Sequence, residues 1–271
     1  MFKLSAFADE ISPDLNEQVD VLQSEGITHI ELRGVWGKNV LDFTDDEVQC
    51  IKKTIKENNI EIAVIGSPIG KVSVLDDFDK HLARFHTAVR MAHAFDTDMV
   101  RVFSFFIPEG DDPAKHRDEV MRRMSAIAEI AAKEKVLLVH ENESGIYGDT
   151  GERNLDIIES VGMGSLMACY DPANYIFVGV EAYPAAYDLV SKYVRHVHIK
   201  DATRESGSPI ITPAGEGQGC IPELLADLQA RNYSGFLSLE PHLAYAGQMY
   251  GFSGPDQFRR ASQALGRLLG D

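Results

Sequence analysis

The strongest constraint in this chain is an eightfold alternation of short apolar runs with longer amphipathic ones. The apolar runs predict strands at Lys3–Ala8, Thr28–Arg33, Glu61–Gly66, Met99–Phe105, Val136–Asn142, Leu166–Asp171, Val194–Lys200 and Phe236–Glu240. The segments between and after them predict helices at Pro13–Gly26, Thr44–Asn58, Phe78–Phe95, Asp112–Lys133, Arg153–Val161, Glu181–Val190, Ile221–Arg231 and Pro255–Leu269. Gly26 supplies a helix stop, and Thr44 with Glu47 three residues on is a capping box. Strict strand–helix alternation implies parallel strands joined by right-handed crossovers. Eight such units, each of about 30 residues, fit a single α/β domain over residues 1–271, a (β/α)8 TIM barrel. A doubly wound sheet is the structural alternative, but the first strand–helix turn carries no GxGxxG. No linker or composition break divides the chain.

Composition narrows the partners. The net charge of −16 argues against an extended nucleic-acid surface, because phosphate contacts need clustered Lys and Arg. Cys50, Cys169 and Cys220 are widely spaced with no CxxC pair, which excludes a disulfide framework and fits a reducing compartment. The first ten residues meet Asp9 and Glu10 before any apolar stretch of signal-peptide length. No apolar run approaches the roughly 18 residues of a membrane span. The expectation is a cytoplasmic protein with no membrane partner.

In a barrel of this kind the active site lies at the C-terminal ends of the strands. Strand five ends His140-Glu141-Asn142-Glu143 and strand six Asp171-Pro172-Ala173-Asn174. Strand seven carries His196 and His198 on one face, then Lys200-Asp201, and strand eight ends Glu240-Pro241-His242. Singly, each has a bland reading as a solvated loop residue, a core histidine or a turn. Together, one Glu, Asp, His and Glu from four successive strands would surround a divalent ion. That hard, oxygen-rich set suits Mn2+, Mg2+ or Co2+ better than structural zinc. Lys200 is read as a substrate contact or as an ion pair with Asp201. Arg101, Glu31 and the run Ser67–Lys71 are weaker candidates for the pocket wall. Trp36, just after strand two, could pack on the apolar face of a sugar. Gly215, Gly217 and Gly219 precede a helix, as in phosphate-binding loops, but Glu216 stands among them. The acidic surroundings favour a neutral sugar or polyol over a phosphorylated one.

In this order HENE (140–143), YDPAN (170–174), HVHIKD (196–201), GEGQG (215–219) and SLEPH (238–242) resemble the xylose isomerase-like superfamily of TIM barrels, also labelled sugar phosphate isomerase/epimerase. The resemblance covers nearly the whole chain. It implies one divalent ion, Mn2+ first with Mg2+, Co2+ or Zn2+ as alternatives, held by Glu141, Asp171, His198 and Glu240. It implies that Glu141 and Glu240 are also the catalytic acid–base pair of an isomerase or epimerase acting on a ketose, related sugar or polyol. The proton next to the carbonyl would be moved through a metal-stabilised enediolate. Arg204, six residues after the metal-binding His, is implied as a substrate contact. Where ketose epimerases carry His, three residues after the metal-binding Asp, this chain has Asn174, placed with His196 and Lys200 among the substrate-facing residues. The same site would serve a lyase or dehydratase of a keto-sugar or inosose. An endonuclease IV-like phosphodiesterase would need more rim histidines than His140, His196, His198 and His242. Homo-oligomers are common in the superfamily and are a further implication.

Overall fold

In the computed structural model, which describes residues 2–204, 207–243 and 253–270, eight parallel strands close into a barrel. They are β1 (Lys3–Ala6), β2 (His29–Leu32), β3 (Glu61–Ile65), β4 (Met99–Val102), β5 (Leu137–Glu141), β6 (Leu166–Tyr170), β7 (Val194–Ile199) and β8 (Phe236–Leu239). Closure is made by β1, which pairs with β8 from Lys3↔Phe236 to Ala6↔Leu239 and with β2 from Ser5↔His29. The chain is thus a (β/α)8 barrel, as its periodicity predicts.

The helices are α1 (Leu15–Ser24), α2 (Asp45–Glu57), α3 (Phe78–Ala94), α4 (Arg117–Glu134), α5 (Gly151–Val161), α6 (Pro172–Phe177), α7 (Tyr187–Val190), α8 (Ile221–Ala230) and α9 (Pro255–Leu269). Local chemistry explains where they start. The Glu47 N–H donates to Thr44 Oγ1 at 3.3 Å and the Thr44 N–H donates back to Glu47 Oε2 at 2.8 Å. A cap of this type is worth about 1 kcal/mol. From α2, Val48, Ile51 and Ile55 are buried at helical spacing. Each such side chain contributes about 1.5–3 kcal/mol through removal from water. No helix among the described residues is long and apolar enough to cross a membrane.

Three departures from the sequence pattern shape the upper face. β1 stops at Ala6, and residues Ala8–Glu10 wind into a 3-10 turn that brings Asp9 and Glu10 to the rim. The single helix expected over Glu181–Val190 is broken. Asp171 accepts the Asn174 N–H at 3.0 Å and Pro172 fits the first turn, so α6 starts early. Tyr183 is extended, and Pro184, which has no N–H, cannot continue a helix, leaving α7 one turn long. Lastly, Asp201–Thr203 and Ile210–Thr212 form an antiparallel hairpin after β7, and Gly34–Val35 pairs with Lys38–Asn39 after β2.

The main core lies between strands and helices. A smaller cluster of Ala63, Val64, Val139 and Cys169, backed by Met99, Leu137 and Phe236, is built wholly from strand residues and fills the barrel interior. It forms the apolar support beneath the polar groups described next.

Candidate metal centre

Glu141 ends β5, Asp171 follows β6, His198 sits in β7 and Glu240 follows β8. The barrel brings these four together. One ligand atom from each lies within 4.8 Å of all the others. His198 Nδ1 is 3.4 Å from Glu141 Oε1, 3.6 Å from Asp171 Oδ2 and 3.5 Å from Glu240 Oε2. All four side chains are buried.

The orientation of His198 is set from behind. Its Nε2 lies 3.2 Å from Glu31 Oε2, and the same oxygen is 2.6 Å from His196 Nε2. Cys169 Sγ approaches Nε2 at 3.3 Å, and Phe7 packs edge-on against the ring at 5.1 Å. Nδ1 therefore faces the carboxylates and, buried, has no hydrogen-bond partner among the described residues. Three carboxylates and one imidazole nitrogen so aimed fit a divalent ion bound mainly through oxygen.

Three buried cations offset the charge of the carboxylates. Arg33 Nη1 is 3.0 Å from Glu240 Oε1, Arg101 Nη1 is 3.1 Å from Glu141 Oε2, and Lys200 Nζ is 2.7 Å from Asp171 Oδ2 and 2.9 Å from Glu240 Oε2. Burial alone would raise the Glu141 carboxyl, but the charges of His198 and Arg101 hold it at about 2. Burial is likewise outweighed at Glu240, by Lys200 and His242, and its carboxyl is held well below the usual range. The guanidiniums of Arg33 and Arg101 lie over the Phe7 ring at 4.5 and 5.0 Å, so their stems are packed as well as paired.

A pocket of about 1100 Å³ opens above the centre, with Arg33, Arg101, Asn174, Lys200, Glu240 and His242 among its lining residues. Pro68 and Lys71 supply wall, as their position after β3 suggests, and the hairpin after β7 adds residues 208–211. Lys200 faces this pocket and pairs with Asp171 and Glu240 rather than with Asp201. The Asp201 carboxylate instead accepts the N–H groups of Gly215, Gly217 and Gly219 at 2.9, 3.0 and 2.8 Å. The glycine run thus holds an internal anion, Asp201.

Other sequence candidates lie elsewhere. His196 is sealed in the barrel against Glu31. Arg204 is exposed and absent from the pocket lining. Its Nη1 donates to the Phe177 carbonyl at 3.2 Å and its N–H to Gln218 Oε1 at 2.8 Å, so it ties down the end of α6. Trp36 is 38% exposed, packs against Phe43 at 6.5 Å, and does not line the pocket. Sequence reasoning placed Arg33 and Asn142 at strand ends without assigning them a role, and passed over Phe7. Their signal was only a place near a strand end, shared with many residues of no function.

A (β/α)8 barrel with a buried Glu–Asp–His–Glu centre at the C-terminal ends of β5 to β8 defines a class of enzyme scaffold. The chain belongs to the xylose isomerase-like TIM barrel family, whose pattern matches residues 19–267. It is 22% identical over 216 residues, 75% of either chain, to a 3-dehydroshikimate dehydratase of Bacillus anthracis. Among solved structures it is similar to a D-tagatose 3-epimerase-like protein, with TM-score 0.76, 17% identity, and 99% of this chain and 97% of that one covered. It is also similar to a xylose isomerase-like TIM barrel protein from Mycobacterium smegmatis in complex with magnesium, with TM-score 0.74, 17% identity and 98% and 97% covered. Members of the family are enzymes, dehydratases and epimerases among them.

Proposed function

We propose that the protein is a divalent-metal-dependent enzyme that moves the proton next to the carbonyl of a small polyhydroxylated ketone, as an isomerase or epimerase. The observation that carries this reading is the placement of two carboxylates, Glu141 and Glu240, at 3.4 and 3.5 Å on either side of one imidazole nitrogen at the pocket floor. Glu141, Asp171, His198 and Glu240 would hold the ion, with Mn2+ the first candidate. When bound, the ion supplies the Lewis acidity that brings a carbon acid beside a carbonyl within reach of a carboxylate base.

The chain's own groups do the rest. Glu141 and Glu240 reach the substrate from different strands, so one can take a proton and the other return one to a neighbouring atom or the opposite face. Lys200, Arg33 and Arg101 offer only hydrogen-bond donors and would bind substrate oxygens as negative charge develops. A floor whose cations are all paired with carboxylates, within a chain of net charge −16, also argues for a small polar substrate rather than a nucleic acid. The three cysteines, all free, accord with a cytoplasmic setting.

A dehydratase reading shares the first step, and Lys200 favours it. As a buried ammonium 2.9 Å from Glu240, it would donate a hydrogen bond to a departing β-hydroxyl. The likeness to a 3-dehydroshikimate dehydratase points the same way. The test is a panel of ketoses, inososes and cyclic hydroxyketones incubated in D2O with the Mn2+-loaded protein and followed by NMR. Deuterium beside the carbonyl of an isomer or epimer supports the first reading, and loss of water to an enone supports the second. Absence of exchange across the panel would sink both.

A further inference from the structure

Each carboxylate of the centre has one oxygen turned toward His198 Nδ1 and one turned away. The near oxygens are Glu141 Oε1, Asp171 Oδ2 and Glu240 Oε2, at 3.4, 3.6 and 3.5 Å. The far oxygens are held by the chain. Arg101 Nη1 lies 3.1 Å from Glu141 Oε2, the Asn174 N–H donates to Asp171 Oδ1 at 3.0 Å, and Arg33 Nη1 donates to Glu240 Oε1 at 3.0 Å. A divalent ion bound beside Nδ1 would use the near set.

Lys200 departs from this division. Glu141 Oε1 accepts the Asn174 side-chain amide at 3.0 Å, but the other two near oxygens face an ammonium. Lys200 Nζ is 2.7 Å from Asp171 Oδ2 and donates to Glu240 Oε2 at 2.9 Å. Buried Asp171 Oδ2 nonetheless makes no hydrogen bond among the described residues, so the ammonium meets it as a charge and not as an aligned donor. An ammonium is a compact point charge. It offsets the repulsion between Asp171 and Glu240, as an ion would. It has no lone pair to add to a coordination shell, and it carries the sign of the ion. Two cations against the same pair of oxygens would face each other at short range, away from water.

We propose that Lys200 competes with the divalent ion for Asp171 Oδ2 and Glu240 Oε2, so that loading the centre displaces the ammonium into the pocket. This rests on the function proposed above and deepens it. Lys200 lines the pocket, so an ammonium that gives up these oxygens moves to where a substrate lies. Against the carboxylates it offsets a buried acidic cluster. Released from them, it offers its donors to a substrate oxygen. Those donors become available as the ion binds, which couples the two binding events. Arg33 and Arg101 stay in place, since each holds an oxygen turned away from the ion.

The test uses the full chain and Mn2+ as the probe. Mn2+ affinity of the EDTA-dialysed protein is titrated for wild type and for Lys200→Met, which keeps most of the stem and removes the charge. Separately, wild-type lysines are reductively methylated with and without Mn2+, and modification is read by mass spectrometry. Loss of the competitor is expected to tighten Mn2+ binding about tenfold or more. Loading is expected to raise methylation of Lys200 several-fold and to leave Lys71, paired with Glu143, unchanged. Equal or weaker binding by a folded Lys200→Met would make the ammonium a support for the ligands, and would overturn the inference while leaving the metal centre standing. Methylation of Lys200 unmoved by Mn2+ would show an ammonium that stays in place, and would overturn it as well. If the variant does not fold, the methylation result alone decides. A wild-type protein that binds no Mn2+ would count against both this inference and the proposed function.

Discussion

Glu31 Oε2 lies 3.2 Å from His198 Nε2, joining β2 to β7 across the barrel, and this contact decides which nitrogen of His198 faces the three carboxylates. A carboxylate behind a candidate ligand fixes its tautomer and raises its basicity. Glu31→Gln is expected to leave the far-ultraviolet circular dichroism unchanged and to weaken Mn2+ binding about 10- to 100-fold. Titration of the dialysed protein with Mn2+ checks this, and unaltered affinity would show that Glu31 does not orient the ring.

Glu240→Gln removes one of the two proposed proton carriers and a proposed metal ligand. Turnover is expected to fall about 10²- to 10⁴-fold, the usual worth of a positioned acid or base. Solvent deuterium uptake into substrate is the direct readout. Uptake at the wild-type rate would exclude Glu240 as an essential base.

Chelation tests the ion itself. A ligand that binds only the folded state at 100 times its dissociation constant stabilises by about 2.7 kcal/mol. Dialysis against EDTA should therefore lower the melting temperature, and Mn2+ should restore it. In Asp171→Ala the restoring effect should be largely lost. A melting temperature indifferent to both treatments would argue against a bound ion.

Gly217 approaches Asp201 so closely that an added Cβ would lie 2.3 Å from Oδ1 and 2.6 Å from the Ala202 carbonyl oxygen. Both neighbours are held, Asp201 by three glycine amides. Gly217→Ala is expected to destabilise by about 1–3 kcal/mol, the usual cost of overpacking, and to loosen the hairpin that carries residues 208–211 of the pocket. Urea unfolding measures the first effect. A variant as stable as wild type would show that the loop yields freely.

His81 gives a pH dependence remote from the centre. Its Nε2 accepts the Gly70 N–H at 2.8 Å, which requires the neutral ring. Burial, reinforced by the charges of Arg123 and Arg84, lowers its pKa to about 4 from the usual value of 6.5. Between those values the unfolded chain binds more protons than the folded one. Stability from this group is therefore full above pH 6.5, is lost as the pH falls toward 4, and changes no further below. The drop in urea midpoint from pH 7 to pH 5 should be smaller in His81→Gln than in wild type. An equal drop would assign the pH dependence to other groups.

Much of the architecture was legible because it depends on short-range periodicity. The eight strands and the helices they alternate with follow from apolar spacing, and Thr44 with Glu47 marks a helix start within four residues. The same is true of the ligand-type residues at the ends of β5 to β8, since a barrel makes every strand end a neighbour of the next. Arg204 was less legible. Counting six residues past His198 says nothing of the hairpin at Asp201–Thr203 and Ile210–Thr212, which leaves Arg204 against the Phe177 carbonyl. The glycine run was legible only in part, since Glu216 argued against a phosphate but pointed to no other anion. Its amides do bind an anion, but the anion is Asp201.

The sequence by itself determined the repeat, the closed parallel barrel that the repeat demands, and the residue types gathered at one end of it. Only the tertiary structure decided the pairings. Glu31 meets His196 and His198, Arg33 meets Glu240, and Asn174 turns its amide hydrogens to Glu141 and Asn142. Barrel closure and strand stagger bring these partners together over separations as large as 207 residues. Local periodicity sets which face a side chain occupies. Which atom it meets there depends on how buried donors, acceptors and charges satisfy one another across the barrel.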